Sequence, residues 1–308
     1  MNGLTPKSSA QPANSSANSP EKVVERLDWQ IGRRLDGLLQ GDYRTLFYGF
    51  GVDFADLREY QPHDDVRHID WNVTARMNSL HVRQYYEDRE VSAWFLLDIS
   101  RSMGFGPVDR PKELVLLELT VLFALLLSRT GNRIGAILYD GHTLTPIPPK
   151  SGRNQVLRMT RQIMSAAKNT NSSGTQLTDL LNAGFNSFKR RSLVFIISDF
   201  ISEPGWEKPL ALLNQRHEMV GIRLIDPNEV ELPNVGTIVV EDAETGEQML
   251  VNTADPLLRS RFKQAADRRE NQLRDSLKRA AVDLTSISVQ DDLLEVIVKM
   301  ANLRRQFR

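Results

Sequence analysis

The sequence predicts an α/β protein built on a doubly wound, mostly parallel sheet. Short apolar runs alternate with helical patterns from residue 91 to residue 240, and this alternation is typical of parallel strands covered by helices. Two strongly apolar runs, 91–97 and 192–198, lead directly into an aspartate, Asp98 and Asp199. Buried parallel strands have continuous apolar runs of this kind.

The other elements are predicted in chain order from apolar spacing and turn signals. The dipeptide Asp140-Gly141 favours a tight turn, so strands 134–139 and 143–147 are expected to form a hairpin. The apolar periodicity predicts helices over 21–40, from Pro111 to 129, 153–167, 176–189, 206–216, 255–279 and 291–303. Strands are predicted over 219–225 and 237–240, which would complete the sheet, with a short apolar stretch between the last two helices.

Composition divides the chain into four parts. Residues 1–20 are rich in Ser, Asn, Ala and Pro and are expected to be a disordered lead-in. Residues 21–90 form a charge-dense N-terminal segment, residues 91–250 the α/β domain, and residues 251–308 a C-terminal helical segment. His142, in the predicted turn, and His217, after a predicted helix, are expected on the surface.

The overall composition excludes several classes of function. The formal net charge is zero, so bulk charge gives no reason to expect nucleic-acid binding. The chain has no cysteine, which excludes disulfides and thiolate metal sites and suits a reducing compartment. The most apolar run, 114–127, is interrupted by Glu118 and Thr120 and is shorter than the roughly 20 apolar residues of a membrane span. We therefore expect a cytoplasmic protein without a membrane span.

Oxygen-bearing side chains cluster in the segments that follow the predicted strands. Asp98 is followed by Ser100 and Ser102, Thr175 lies in a later loop, and Asp199 ends another strand. In open parallel sheets, ligands bind beyond the carboxyl ends of the strands, and we expect Asp98 and Asp199 to end adjacent strands. An all-oxygen donor set favours a hard cation, Mg²⁺ or Mn²⁺, over zinc.

Two other interpretations of these residues remain open. Ser100 and Ser102 could simply cap the helix that follows them. Alternatively, Asp98 could serve a Mg²⁺-dependent phosphohydrolase, but such enzymes use a second carboxylate as acid and base, and Ser100 stands in that position. Phosphate-binding and nucleophile-elbow motifs are absent from the sequence. A non-catalytic module is therefore favoured, and a structural subunit with a vestigial metal loop is a third possibility.

The three polar loops resemble a known metal site. Asp98-Ile-Ser-Arg-Ser102, Gly174-Thr175 and Ser198-Asp199 are similar to the three loops of the metal-ion-dependent adhesion site of von Willebrand factor type A domains. The resemblance implies that Asp98, Ser100, Ser102, Thr175 and Asp199 surround a cation whose coordination is completed by an acidic side chain of a protein partner.

The upstream segment resembles the bacterial family called domain of unknown function 58. The stretches that carry this resemblance are Gly51 to Tyr60, Asp64 to Trp71 and Thr74 to Arg76; His63 departs from the glycine usual in the family. The resemblance implies a partner, a MoxR-type AAA+ ATPase or its client, and a chaperone-like role in maturing other proteins. In this interpretation the partner would also contact residues of the upstream segment, namely Arg58, Asp64, Asp65, Arg67 and Arg76.

Residues 53–90 carry nine acidic residues and five arginines. Such a density of charge fits a recognition surface, and it fits equally well a network of ion pairs that ties an irregular segment to the sheet. The sequence leaves these alternatives open.

Overall fold

The computed structural model describes residues 19–35, 56–61, 66, 69, 71, 74, 79–84, 92–107, 109–167, 175–241 and 248–306. In this part of the chain the helices are α1 (Pro20–Gln30), α2 (Lys112–Arg129), α3 (Arg153–Ala166), α4 (Leu177–Ser187), α5 (Glu207–Arg216), α6 (Pro256–Ala280) and α7 (Leu293–Gln306). The strands are β1 (Asp56–Glu59), β2 (His81–Gln84), β3 (Ser92–Asp98), β4 (Arg133–Tyr139), β5 (Leu144–Lys150), β6 (Leu193–Ser198), β7 (Glu218–Ile225), β8 (Thr237–Glu241), β9 (Gln248–Asn252) and β10 (Leu284–Ser288).

The central sheet has six strands in the order β10-β7-β6-β3-β4-β5. All neighbours are parallel except β4 and β5, which are antiparallel. Counted along the chain from β3, the order is 3-2-1-4-5-6, the doubly wound order in which the direction of winding reverses between β3 and β6. The predicted fold class is therefore confirmed.

Helices cover both faces of this sheet, because both faces are apolar. One buried cluster joins the sheet to α1, α2, α3 and α7, and a second joins it to α4, α5 and α6. Helix α2 is apolar on nearly all sides, with Leu116, Leu119 and Leu126 at 0% exposure, as expected of a helix at the centre of a layer. This central position brings the first residue of α2 to the end of the sheet.

The prediction that 237–240 completes the sheet was wrong. Strand β8 instead pairs with β9 in a separate antiparallel ribbon, and the sixth strand of the sheet is β10, which pairs with β7. The sheet thus takes its edge strand from the segment 251–308. Both stretches are short, and strand pairing depends on tertiary packing that local patterning does not encode.

The ribbon formed by β8 and β9 exposes large apolar side chains. Val239 is 62% exposed, Met249 67% and Leu250 72%. An antiparallel pair can leave one face exposed to solvent. The apolar character of residues 237–240 therefore does not require that this strand join the central sheet.

The predicted hairpin is confirmed. Strands β4 and β5 pair antiparallel, and the Asp140 carboxylate accepts hydrogen bonds from the backbone N–H groups of His142 and Thr143 in the turn. His142 is exposed, as expected. His217 is 5% exposed, so its predicted surface position was wrong. Its ring lies edge-on to Phe188, with centroids 5.5 Å apart, and the aromatic packing at the amino end of β7 buries it.

Helix α1 covers only part of the predicted 21–40. It ends at Gln30 and continues as a π-helical turn, Ile31–Leu35; residues 36–40 lie outside the described residues. Among the described residues, no helix has both the length and the apolar character needed to cross a membrane.

Candidate metal centre

The centre lies where the winding of the sheet reverses. Strands β3 and β6 are parallel neighbours, with Leu97 opposite Ile197, so Asp98 and Asp199 leave the sheet at the same edge. This adjacency was predicted from the sequence. All five predicted ligands are buried, with exposed fractions between 0% and 4%, namely Asp98, Ser100, Ser102, Thr175 and Asp199.

The loop after β3 turns its two serine hydroxyls toward each other. The Oγ atoms of Ser100 and Ser102 are 3.2 Å apart, and the backbone N–H of Ser100 donates to Asp98 Oδ1 at 3.0 Å. Ser100 precedes a 3₁₀ turn, Arg101–Gly104, but its side chain makes no capping hydrogen bond. The capping interpretation of Ser100 is therefore wrong. Two neighbouring ligands of an octahedral Mg²⁺ at about 2.1 Å would be about 3 Å apart, so the spacing of the serine hydroxyls fits such an ion.

Asp98 is fully buried, and both its oxygens accept hydrogen bonds. The Ser198 hydroxyl donates to Oδ2 at 2.6 Å, opposite the N–H that reaches Oδ1. Burial raises the pKa of Asp98 to about 6, and the nearby charge of Asp199 adds to the rise. Because both causes disfavour the carboxylate, a cation bound here would stabilise its ionised form.

The loop after β6 holds Asp199 in a constrained backbone. The backbone N–H of Ile201 donates to Asp199 Oδ1 at 2.9 Å, and that of Phe200 donates to Ser198 Oγ at 2.8 Å. Phe200 has a φ of 59°, which costs a non-glycine residue of order 1–3 kcal/mol. Such strain persists only where surrounding contacts hold the loop in place. Here the two hydrogen bonds hold the loop and fix the direction of the Asp199 side chain.

The backbone of Thr175 is hydrogen-bonded to the loop that follows Asp199. Its carbonyl oxygen accepts from the Ser202 hydroxyl at 2.9 Å and from the backbone N–H of Glu203 at 3.2 Å. These bonds tie the loop before α4 to the loop after β6. They hold Thr175 against the segment that follows Asp199, while the role of its hydroxyl as a ligand stays a prediction.

Lys112 was not predicted from the sequence as part of this site. Its side chain is 0% exposed, and its Nζ donates to Asp199 Oδ2 and to Glu229 Oε1, each at 2.7 Å. Burial alone would lower the pKa of Lys112, but the two carboxylates outweigh it and the pKa is raised. A signal was present in the sequence, because a lysine at the first position of an apolar helix lies at the positive end of the helix dipole and needs an acidic partner.

Glu229 connects the centre to the end of β7. It lies in a 3₁₀ turn, Pro227–Glu229, whose preceding residue, Asp226, caps the turn through its carboxylate. Glu229 Oε2 accepts from the backbone N–H of Asp226. An open groove of about 740 Å³ adjoins Asp199 and Glu229 and is bordered on its other side by α6.

The chemistry of the donors decides whether the residues fit a cation. No group of three or more His, Cys, Asp or Glu residues in the described part of the chain is placed to hold a metal. A metal at this edge would therefore depend on the hydroxyl oxygens together with Asp98 and Asp199, a set that suits a hard cation. The donors present fit Mg²⁺ or Mn²⁺ and do not fit zinc.

Of the predicted partner-binding residues, the structure describes one. Arg58 lies in β1, which pairs antiparallel with β2, opposite Val82. Asp64, Asp65, Arg67 and Arg76 lie outside the described residues.

Solved structures of low sequence identity are similar to this chain. The crystal structure of BatB, a conserved hypothetical protein of Bacteroides thetaiotaomicron, aligns with a TM-score of 0.45 and 14% identity, over 70% of this chain and 99% of that chain. The VWA domain of SpRpn10 aligns with a TM-score of 0.35 and 12% identity, over 68% of this chain and 93% of that one.

Sequence comparison shows the family. Uncharacterised proteins of Mycobacterium bovis and Mycobacterium tuberculosis are 35% identical over 284 residues, which is 92% of this chain and 89% of theirs. The family model described as protein of unknown function DUF58 matches residues 56–272. The chain therefore belongs to the DUF58 family.

Proposed function

We propose that the chain is a protein-binding module whose contact with its partner depends on a divalent cation, Mg²⁺ or Mn²⁺. Five residues would hold the cation: Asp98, Ser100, Ser102, Thr175 and Asp199. The observation that carries the proposal is the serine pair: the two hydroxyls lie within hydrogen-bond distance of each other, at 3.2 Å, and the Ser100 hydroxyl does not cap the turn that follows. Buried hydroxyls placed beside a buried carboxylate supply the oxygen donors that hard cations prefer.

The cation's role in this proposal is to attract a carboxylate. A hard cation with only two protein carboxylates keeps positions for water or for an Asp or Glu side chain of a partner. The groove beside Asp199 gives a partner segment room at the same edge. The family resemblance points to a MoxR-type AAA+ ATPase or its client as the partner, in a chaperone-like process. The segment from Arg58 to Arg76 would help to orient that partner.

The alternative, a Mg²⁺-dependent phosphohydrolase using Asp98, has weaker support. A nucleophilic carboxylate must present an oxygen directly to the substrate, but Asp98 is fully buried. A partner that binds through a cation needs access only to the cation. The same burial therefore weighs against catalysis more than against recognition.

Calorimetric titration with Mn²⁺ tests the proposed centre. The wild-type chain should bind one Mn²⁺, and the Asp98→Ala, Ser100→Ala double variant should show no binding heat, because it lacks a carboxylate and a hydroxyl donor. Ser192→Ala is the matched control, since Ser192 precedes the other end of β6 and should leave the titration unchanged. Equal heats for the wild type and the double variant would contradict the proposal.

The same variants test the partner. Binding of a purified MoxR-type ATPase from the same organism, measured by fluorescence anisotropy, should be lost in EDTA and in the double variant and kept in Ser192→Ala. Binding that ignores both the chelator and the variant would reject cation-mediated recruitment. Hydrolysis of a phosphate ester that requires Mg²⁺ and Asp98 would instead establish the enzyme.

A further inference from the structure

Lys112 places a fixed positive charge inside the candidate centre. Its ammonium is fully buried and lies 2.7 Å from Asp199 Oδ2, an oxygen that a divalent cation would otherwise attract directly or through water. The other Asp199 oxygen accepts the backbone N–H of Ile201. Both oxygens of this carboxylate are thus already engaged by donors of the chain itself.

A second carboxylate keeps Lys112 in this position. Glu229 Oε1 lies 2.7 Å from Nζ, and Glu229 Oε2 accepts the backbone N–H of Asp226. The three side chains Asp199, Lys112 and Glu229 form a triad that links the loop after β6, the start of α2 and the turn after β7. A buried ion pair of this kind is weak evidence for stability, because desolvation offsets much of the attraction.

We infer that Lys112 is an internal cation that competes with the divalent ion for Asp199 and thereby sets the affinity of the centre for metal. The inference rests on the proposed metal site. With Lys112 in place, the ammonium offsets part of the negative charge of Asp199 and Glu229 and a divalent ion meets a like charge nearby, so the centre binds metal weakly by itself. A partner's carboxylate restores the missing negative charge, which couples metal binding to partner binding.

The test compares Mn²⁺ affinity with and without the ammonium. In Lys112→Met the side chain keeps a similar length and loses its charge, and the dissociation constant for Mn²⁺ should fall about tenfold or more, since like charges at short range interact strongly in a partly buried site. The variant should be less stable than the wild type in EDTA, because two carboxylates lose their common partner. Saturating Mn²⁺ should raise its melting temperature by more than it raises that of the wild type.

Glu229→Gln and the Lys112→Met, Glu229→Gln double variant provide the matched pair. Both lack the Glu229 charge and differ only at Lys112, and the double variant leaves fewer unpaired carboxylates than Lys112→Met if that variant fails to fold. The dissociation constant of the double variant for Mn²⁺ should be lower than that of Glu229→Gln by about tenfold or more. If the triad had only a structural role, both variants would be less stable and their dissociation constants for Mn²⁺ would not differ in this way.

The outcomes separate this inference from the proposed function. If the wild type binds Mn²⁺ and removal of Lys112 leaves the affinity unchanged or weaker, the inference is overturned and the metal site stands. If only the variants that lack Lys112 bind Mn²⁺, and the wild type binds none even with the MoxR-type ATPase present, the inference is supported and the metal-dependent function of the natural chain is rejected. Absence of binding in every protein would overturn both.

Discussion

The carboxyl ends and the amino ends of the parallel strands in the central sheet bury polar groups in different ways. We call these two ends of the sheet its carboxyl edge and its amino edge. At the carboxyl edge lie all the aspartate and lysine side chains that the described residues bury, namely Asp98, Lys112, Asp199 and Asp226. At the amino edge the buried polar residues among those described include Asn132, Gln155, Ser192 and His217. The side chain of Ser192 bonds locally, to the carbonyl oxygen of Arg190 at 2.8 Å.

This difference indicates where the fold accepts an energetic penalty. Buried charges are unfavourable unless they are paired and hydrogen-bonded, and the carboxyl edge pairs them across loops that are distant in sequence: Lys112 reaches Asp199 and Glu229. At the amino edge the same strands begin without any buried aspartate or lysine among the described residues, and the buried polar groups there are neutral. Charge at one edge is therefore not a requirement of the sheet, and function is its better explanation.

The largest expected effect is at the carboxyl edge, in Asp199→Ala. The substitution removes one of the two carboxylates that hold the buried Lys112 ammonium, and breaking a buried pair in this way costs about 3–5 kcal/mol. Urea unfolding in EDTA should show this loss in the free energy of unfolding. Asp275→Ala, on the exposed side of α6, is the control and should change stability by less than about 0.5 kcal/mol. A change as small in Asp199→Ala as in the control would show that the carboxyl edge carries no such energetic penalty.

A direct comparison of the edges uses the serines at the two ends of β6. Ser198→Ala removes a donor to the buried Asp98 carboxylate and an acceptor of the Phe200 N–H, and leaving such groups unsatisfied costs about 1–3 kcal/mol. Ser192→Ala removes one neutral hydrogen bond to the Arg190 carbonyl, which contributes about 0.5–1.5 kcal/mol. In chemical denaturation, the free energy of unfolding of Ser198→Ala should be lower than that of Ser192→Ala. The reverse order would show that the carboxyl edge is not the more demanding environment.

Much of this architecture could be predicted from the sequence, because β3 and β6 are continuous apolar runs that lead into an aspartate. Asp98 and Asp199 follow such runs, and strand order then brings them together. Strand β10 was missed because its five residues mix polar and apolar side chains, and a partner strand, β7, decides that it is a strand at all. Thr237 to Val240 has a stronger apolar pattern and yet pairs outside the sheet.

The site was only partly predictable for a related reason. Ligand types and their order along the chain are local properties, so Asp98, Ser100 and Ser102 could be proposed from one pentapeptide. The partners of Lys112 lie 87 and 117 residues away, and their approach follows from the packing of α2 against the sheet. His217 shows the same limit, because the residues that bury it belong to other elements.

The smallest expected effect at neutral pH is at the amino edge, in His217→Phe. His217 is buried, neither of its ring nitrogens has a hydrogen-bond partner among the described residues, and phenylalanine keeps the aromatic packing against Phe188. Burial lowers the pKa of His217 below its ordinary value of 6.5, and the charge of Arg216 lowers it further. The unfolded chain therefore takes up a proton first as the pH falls, so this histidine reduces stability below about pH 6.5.

The prediction is a difference that grows in acid. His217→Phe and the wild type should have similar free energies of unfolding at pH 8, and the variant should be more stable at pH 5.5, as measured by urea denaturation in EDTA. The raised pKa of Asp98, about 6, acts in the opposite direction. As the pH falls from 6 toward 3.8, the folded chain takes up this proton first, so the penalty for burying the charge is lost and stability rises. Both proteins retain Asp98, so its contribution cancels in the difference. A difference that stays constant from pH 8 to pH 5.5 would mean that His217 does not titrate as a buried group, and that the amino edge tolerates a charged imidazole.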